Sequence, residues 1–489
     1  MVDWFRVGAV AAVAVGIAAR FALADSPVEY DSANYAYVAT HMAERGMNPL
    51  SFFNNKPPGI YFWYRAFFGL FGNGPFACHL TSTVPDLIVL LTIGIIGRTL
   101  ASERVGDAAA AIYATLQPAV RLAGFGYTES PMTACLLIAA TLIVLAADRG
   151  SRSSVVFLAG LAVGSAALFK QPAYLLGSAV FVWGLLSRTS PGARVGWALR
   201  FVGGVTLVHL VLVGWLLSNG YLREFAERVF VQGARHGYAD GFSIARRGRE
   251  LFWLGFAPMP VLLSMSVAAL LARDRLATRG FACAFIVPTA LIGCSSYEFY
   301  DHYLIPALPA LSVLVGEWLV RLPPGRVRGL GAATLAGLQS VALAVFVLGE
   351  PRTFPSTIRI VDVWRRRPLS LDYQRKVAAY VAASTTADEP ILSTGSEIPY
   401  LAGRWNSYRY LGVAPYLQRL DSTGFSDFPA NADHVRILVL ERWRMSLLPE
   451  DWVAQLDAAG GPWTRVTELD HPEFVVYRRV RFAPTIRNP

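Results

Sequence analysis

Charge is what this 489-residue chain has little of. Only 16% of its residues are Asp, Glu, Lys or Arg, against roughly 25% in an ordinary soluble protein. Lysine is scarce, so the formal net charge of +10 comes almost entirely from arginine. A nucleic-acid-binding face is one use for such a balance. These arginines, however, fall between apolar stretches rather than on one soluble face, which fits loop charge at a membrane and anionic lipid phosphate better and excludes nucleic acid as the expected partner. The four cysteines, Cys78, Cys135, Cys283 and Cys294, all lie in or at the ends of apolar stretches. They suggest neither a disulfide framework nor a zinc site and read as small apolar side chains. The sequence has no P-loop, no G-x-G-x-x-G ahead of a helix, no H-E-x-x-H and no nucleophile elbow. It has no internal repeat and no low-complexity tract. The first apolar stretch lacks an A-x-A cleavage site, so it is expected to be a retained helix rather than a signal peptide.

What the chain has in quantity is apolar sequence: 54% of it is hydrophobic and its mean hydropathy is +0.41. A helix needs about 20 such residues to cross a bilayer. Stretches near that length fall at 7–24, 76–97, 105–120, 129–147, 153–170, 171–187, 197–218, 251–272, 279–296, 302–320 and 327–348, the third of them weak. The expected fold class is therefore an α-helical polytopic membrane protein with about eleven transmembrane helices. The connectors RTLASER, DRGSRSS, SRTSPGAR, RDRLATR and RLPPGRVR follow the even-numbered stretches. Arginine clustered in short loops marks the cytoplasmic side, so the N-terminus is expected inside and the C-terminus outside, in a cell (inner) membrane.

Three outer segments are too long to be connectors: 25–75, 219–250 and 349–489. The chain thus divides into a membrane domain, 1–349, and an extracytoplasmic domain, 350–489. The latter reads as soluble α/β, with VAAYVAAST as a helix and PILSTG, HVRILVLE and FVVYRRV as strands.

The first outer loop opens EYDSANYAYVATHMAERG. Asp31, Tyr35, Val38 and Met42 fall at helical spacing and Gly46 follows the last turn, which predicts an amphipathic helix at the membrane surface. Asp31 stands at its start. There it can be an N-cap, or a general base held rigidly beside the bilayer, and the two roles are compatible. Farther on, NNKPPGIYFWY places Lys56 before two prolines, in extended and stiff backbone. The aromatic run after them suits a second interfacial helix. A fixed ammonium at headgroup depth suits a lipid phosphate, while a snorkelling lysine is the plain alternative.

These two elements together, EYDSANYAYVA and NKPPGIYFWY, resemble the first outer loop of the C superfamily of membrane glycosyltransferases. More specifically, they are similar to the protein mannosyltransferase and aminoarabinose-transferase group (glycosyltransferase family 39-like). The order of apolar stretches and the outer C-terminal domain follow that group over most of the chain. The resemblance implies sugar transfer from a polyprenyl-phosphate carrier on the extracytoplasmic face, with inversion at the anomeric carbon. It implies the catalytic carboxylate at Asp31 and a donor-phosphate contact at Lys56. The group often carries Asp-Glu at this point. Here it is Asp31-Ser32, with Glu29 two residues earlier, so Glu29 stands as a competing acid.

Further polar residues sit at the expected outer ends of apolar stretches. Glu129, in GYTESPM, is either a second acid of the site or a carboxylate stabilised by a helix N-terminus. Lys170, in FKQPAYLL, lies inside an apolar stretch, where a lysine is costly and by default functional; contact with donor phosphate or sugar is expected, or an end-of-helix snorkel. The segment 221–250 breaks the positive-inside pattern. Its i,i+4 pairs, Arg223 with Glu227 and Glu224 with Arg228, read as a solvated helix face. Arg235, Arg246 and Arg247 have no such partners, and arginine presents a fork to phosphate oxygens. In YEFYDHYLIPALPAL, His302 and Tyr303 are candidate ligand contacts, and an aromatic belt is the alternative. Tyr35 shares the helix of Asp31 and is a further substrate-binding candidate.

The expected chemistry needs no general acid, since a polyprenyl-phosphate is already a good leaving group. It needs a base for the acceptor hydroxyl, whether on lipid, glycan or protein, and cations for the developing phosphate charge. No metal ligand set and no cofactor are indicated. The rival is a transporter or flippase of a lipid-linked sugar. It would show inverted repeats and broken helices at mid-membrane, and the sequence has neither.

Overall fold

The computed structural model of the chain describes residues 3–46, 48–50, 55–148, 153–187, 191–232, 259–272, 277–295, 301–323, 335, 337–339, 371–407, 428–445 and 448–480. Helix dominates them, as the apolar stretches predict. In order these are α1 (Trp4–Ala22), α2 (Tyr30–Arg45), α3 (Gly59–Phe71), α4 (Pro75–Leu100), α5 (Glu103–Thr115), α6 (Gln117–Ala123) and α7 (Glu129–Asp148). There follow α8 (Ser153–Ala167), α9 (Ala173–Leu186), α10 (Pro191–Ser218), α11 (Leu222–Phe225), α12 (Pro260–Leu271), α13 (Arg279–Ser295) and α14 (Ala307–Arg321).

Among the described residues α1, α4, α7 and α10 are long and apolar enough to cross a membrane, and α8, α9, α12 and α13 contain shorter apolar helices. The weak third stretch is two helices, α5 and α6. They part at Leu116, whose backbone is extended, just ahead of Pro118; a proline cannot continue a ladder of i→i−4 bonds. The stretch 327–348 lies outside the described residues except for 335 and 337–339, as does 251–258 at the start of the eighth.

Apolar side chains on α1 and α10 face outward: Trp4 is 77% exposed, Leu199 69% and Val211 67%. Such a surface suits lipid rather than water. Inside, small residues let helices approach closely. A Cβ at Gly160 of α8 or Gly204 of α10 would overlap a carbonyl of the other helix. A buried clamp ties α1, α4 and α5 together. Arg20 Nε donates to Asp86 Oδ2 at 2.5 Å and Tyr113 OH donates to Asp86 Oδ1 at 2.5 Å. Both charges are thereby paired and hydrogen-bonded, the condition under which they are tolerated at membrane depth.

The first-loop helix is where predicted, but it does not lie with one face in water. Residues 32–39 are all buried. The reason is tertiary: α2 packs against α3 and α4 on one side and against α16 (Glu397–Ala402) of the C-terminal region on the other. Gly46, at φ +62°, ends α2 in the left-handed region that glycine adopts without strain.

The C-terminal region carries α15 (Leu371–Ser384) and a four-stranded sheet in the order β1 (Leu392–Ser393), β2 (Ile437–Glu441), β4 (Phe474–Arg479), β3 (Trp463–Arg465). β1 runs parallel to β2; β4 is antiparallel to both β2 and β3. The helix and three of the strands are those read from the sequence. β3, three residues long, has no apolar run to mark it.

Candidate active site

Hydrogen bonds gather the ends of several helices around the first loop. Pro57 and Pro58 are buried, and Pro58 leads into α3. Gly59 N donates to Leu168 O at 3.0 Å, an approach that a Cβ at Gly59 would block. Gln171 Nε2 donates to Asn55 O at 2.6 Å and to Val229 O at 2.8 Å. Lys56 is thus held between two anchored neighbours, Asn55 and Gly59, close to Lys170. Burial, and then the charge of Lys170, lower the Lys56 ammonium from its ordinary value; Asp31 and Glu129 act in the other direction. One lysine of the loop therefore feels both carboxylates singled out in the sequence.

At the start of α2 the N-cap is Glu29, not Asp31. Glu29 Oε2 accepts the Asp31 backbone N–H at 2.8 Å. The sequence offers Asp31 as the N-cap or the base; the geometry gives the cap to Glu29 and places Asp31 inside the first turn, half-buried, with its carboxylate not used for capping. Burial, and then the charge of Asp31, push Glu29 well above the usual carboxylate range. One turn on, the Tyr35 ring meets Tyr61 at 6.2 Å and Tyr64 at 5.8 Å, both edge-on. Tyr64 OH donates to Gly126 O at 2.7 Å. Gly126 has φ +67°, and a side chain there would run into Tyr64 and Ser32. The hydroxyls of Tyr35 and Tyr61 are buried and have no hydrogen-bond partner among the described residues. Burial raises both, and the charge of Asp31 raises both further. Two phenols that can donate therefore lie within electrostatic reach of a half-buried carboxylate.

A second cluster lies at the start of α7. Lys170 Nζ donates to Glu129 Oε1, and Thr128 Oγ1 donates to Glu129 Oε2 at 3.0 Å. His302 Nε2 is 3.6 Å from Glu129 Oε1. The His302 ring stacks on Tyr127 at 4.5 Å, and the Lys170 ammonium sits 4.4 Å above the Tyr303 ring. Glu129, Lys170, His302 and Tyr303, scattered in sequence, meet here. Lys170 is neither an open cation nor a snorkelling one; it is a buried partner of Glu129. The acid is likewise held by that lysine and Thr128.

Arg235, Arg246 and Arg247 lie outside the described residues. Arg228, which the sequence pattern assigns to a solvated face, lies in the π-helical turn Ala226–Gln232. It is close enough to Tyr61 to oppose the rise of that hydroxyl. The apparent i,i+4 partner, Glu224, accepts a hydrogen bond from Asn48 Nδ2 at 2.9 Å.

The fold is that of a polytopic α-helical membrane protein with a small C-terminal sheet. Residues 55–217 match the family described as dolichyl-phosphate-mannose-protein mannosyltransferase. No curated protein matches the sequence. Among solved structures, ArnT from Cupriavidus metallidurans bound to undecaprenyl phosphate is 17% identical with a TM-score of 0.67; the alignment covers 98% of this chain and 99% of that one. Its apo form gives 16% identity and a TM-score of 0.65, with 96% and 97% covered. The oligosaccharyltransferase AglB from Archaeoglobus fulgidus, in complex with an inhibitory peptide and a dolichol-phosphate, is 11% identical with a TM-score of 0.51 over 89% of this chain and 70% of that one. The chain has the fold of these membrane glycosyltransferase structures, as the first-loop residues lead one to expect.

Proposed function

We propose that the protein is an inverting glycosyltransferase that moves a sugar from a polyprenyl-phosphate donor to a hydroxyl of an acceptor in the cell envelope. The reaction takes place on the extracytoplasmic side, with the N-terminus in the cytoplasm. What supports this reading is that Lys56, held by the K-P-P element, lies within electrostatic reach of Asp31, the acid whose carboxylate Glu29 relieves of capping. That ArnT was solved with undecaprenyl phosphate and AglB with a dolichol-phosphate supports the donor class.

Asp31 takes the proton of the acceptor hydroxyl. The acceptor oxygen attacks the anomeric carbon from the face opposite the phosphate. The bond between that carbon and the phosphate oxygen breaks, and the electron pair leaves on the carrier phosphate. Lys56 meets the charge that develops there, in a partly desolvated setting where a fixed cation is worth more than in water. Arg228 and one or more of Arg235, Arg246 and Arg247 supply further positive charge. Lys170 reaches the phosphate from its pair with Glu129, and His302 and Tyr303 orient that pair. The Tyr35 and Tyr61 hydroxyls donate to oxygens of the sugar, which gives both buried groups the partner they lack among the described residues. The test is to incubate the protein in nanodiscs with a panel of polyprenyl-phosphate sugars and follow release of the unsubstituted carrier. Release that depends on an added hydroxyl acceptor supports the reading; its absence across the panel contradicts it.

A further inference from the structure

The contacts between the C-terminal region and the membrane helices bear on one short stretch of chain. Val28 N donates to Gln374 Oε1 at 2.9 Å, and Gln374 Nε2 donates back to Val28 O at 2.9 Å. Ser396 Oγ donates to Asn34 Oδ1 at 2.5 Å, and the Asn406 backbone N–H donates to Tyr37 OH at 2.8 Å. Between these, the Arg444 guanidinium lies 4.3 Å over the ring of Tyr30. Residues 28, 30, 34 and 37 are therefore all held from the C-terminal side, and Glu29 and Asp31 sit among them.

Arg444 is fully buried on the short helix Arg442–Met445, directly after β2. Its Nη1 pairs with Glu441 Oε2 at 2.7 Å and also donates to Thr394 O. Tyr30 lies in the field of Arg444 on one side and of Glu441, Glu397 and Asp31 on the other. A buried arginine is a costly way to hold a sheet together, since apolar residues of similar volume often do as well. This one is fixed by its own domain and spends its open face on an aromatic ring at the root of α2, an arrangement that favours one ring position. The transfer reaction outlined above uses neither Arg444 nor Tyr30, Glu441 or Glu397.

We propose that Arg444 is a positioning residue for sugar transfer: by fixing the Tyr30 ring it sets the direction in which the adjacent Asp31 carboxylate leaves α2. The C-terminal region then completes the site without touching substrate. This rests on the reading of Asp31 as the base, and the experiment separates the two.

The full-length protein in nanodiscs is compared with two variants. Arg444→Gln combined with Glu441→Gln keeps both side chains polar and removes both charges together, so that neither charge of the pair is left unpaired. Tyr30→Leu removes the ring and leaves the ion pair of the C-terminal region intact. Leu456→Ala, in the apolar core of the sheet, serves as a stability control. Each variant is assayed for kcat and KM and for backbone amide exchange. Misplacement on the ångström scale costs about a hundredfold in rate, so kcat should fall by about ten- to a hundredfold in both test variants. KM for the lipid donor should stay unchanged. Amide exchange at residues 30–34 should speed up about tenfold or more, with 75–100 unchanged. The control should lower Tm and leave kcat intact well below Tm. Unchanged kcat in both test variants, an equal loss in the control, or unchanged exchange at residues 30–34 overturns the proposal. A wild-type protein that transfers nothing from any donor defeats the transfer reading instead. In that case the exchange measurement decides alone: faster exchange at 30–34 upholds the coupling of Arg444 to the Asp31 turn, and none refutes it.

Discussion

Glu29 Oε2 accepts the backbone N–H of Asp31 at 2.8 Å. Two carboxylates two residues apart thereby take different tasks. One closes the end of α2, and the other is relieved of that task. Glu29→Gln keeps an oxygen that can accept the same N–H, so it should retain transfer within a few-fold. Glu29→Ala removes the cap and should lower stability by about 0.5–2 kcal/mol, read by denaturant unfolding. A hundredfold loss of transfer in Glu29→Gln would hand the base role to Glu29.

The Lys170–Glu129 pair makes a second prediction. Both side chains are buried. Glu129→Gln alone strands a buried cation and should cost roughly 3–5 kcal/mol. Glu129→Gln with Lys170→Met removes both charges and should recover most of that stability. A double-mutant cycle measures the difference. Additive losses would mean that the two groups do not act as a pair.

Lys56 should give an alkaline limb. Burial and Lys170 lower its ammonium from the ordinary value of 10.5, and only the charged form attracts phosphate. kcat/KM should therefore fall as pH rises through that lowered value, and Lys56→Arg should move the limb to higher pH. Lys56→Ala should weaken donor binding by about ten- to a hundredfold, given roughly 1.5–3 kcal/mol for a charged hydrogen bond. Titration with donor lipid at several pH values checks both.

Glu397 couples stability to pH in the C-terminal region. Burial, and then the charge of Glu441, push it up to about 8. Between the ordinary glutamate value and that raised one, the folded protein holds a proton that the unfolded chain has lost. Its contribution to stability is full below the ordinary value and is lost as pH rises through about 8. Glu397→Gln should flatten Tm against pH over this window and raise Tm at its alkaline end. Thermal unfolding at pH steps across the window provides the comparison.

Much of the site could be read from the sequence because charge is so rare in this chain. Of three lysines, Lys56, Lys170 and Lys376, two stand in it. A lysine in or beside an apolar stretch announces itself. The order of helices was equally legible, because apolar length is a one-dimensional signal. What the sequence hid depends on three dimensions. Nothing in GYTESPM and FKQPAYLL says that Glu129 and Lys170 pair, since their separation of 41 residues has no period. α2 reads as a surface helix because its own pattern is amphipathic; its second face is covered by residues more than three hundred positions away. Nor does the sequence around Arg228 show that it comes within electrostatic reach of Tyr61.

The central claim is that Asp31 accepts the proton of the acceptor hydroxyl, and Asp31→Asn tests it most directly. Asparagine keeps the size, and the helix cap resides on Glu29, so the variant should fold. The measurement pairs donor-lipid binding with carrier release on the same nanodisc preparation. The account predicts unchanged donor binding and a loss of transfer of about a hundredfold to ten-thousandfold, the range for removing a general base. Wild-type rates of transfer in Asp31→Asn would contradict it.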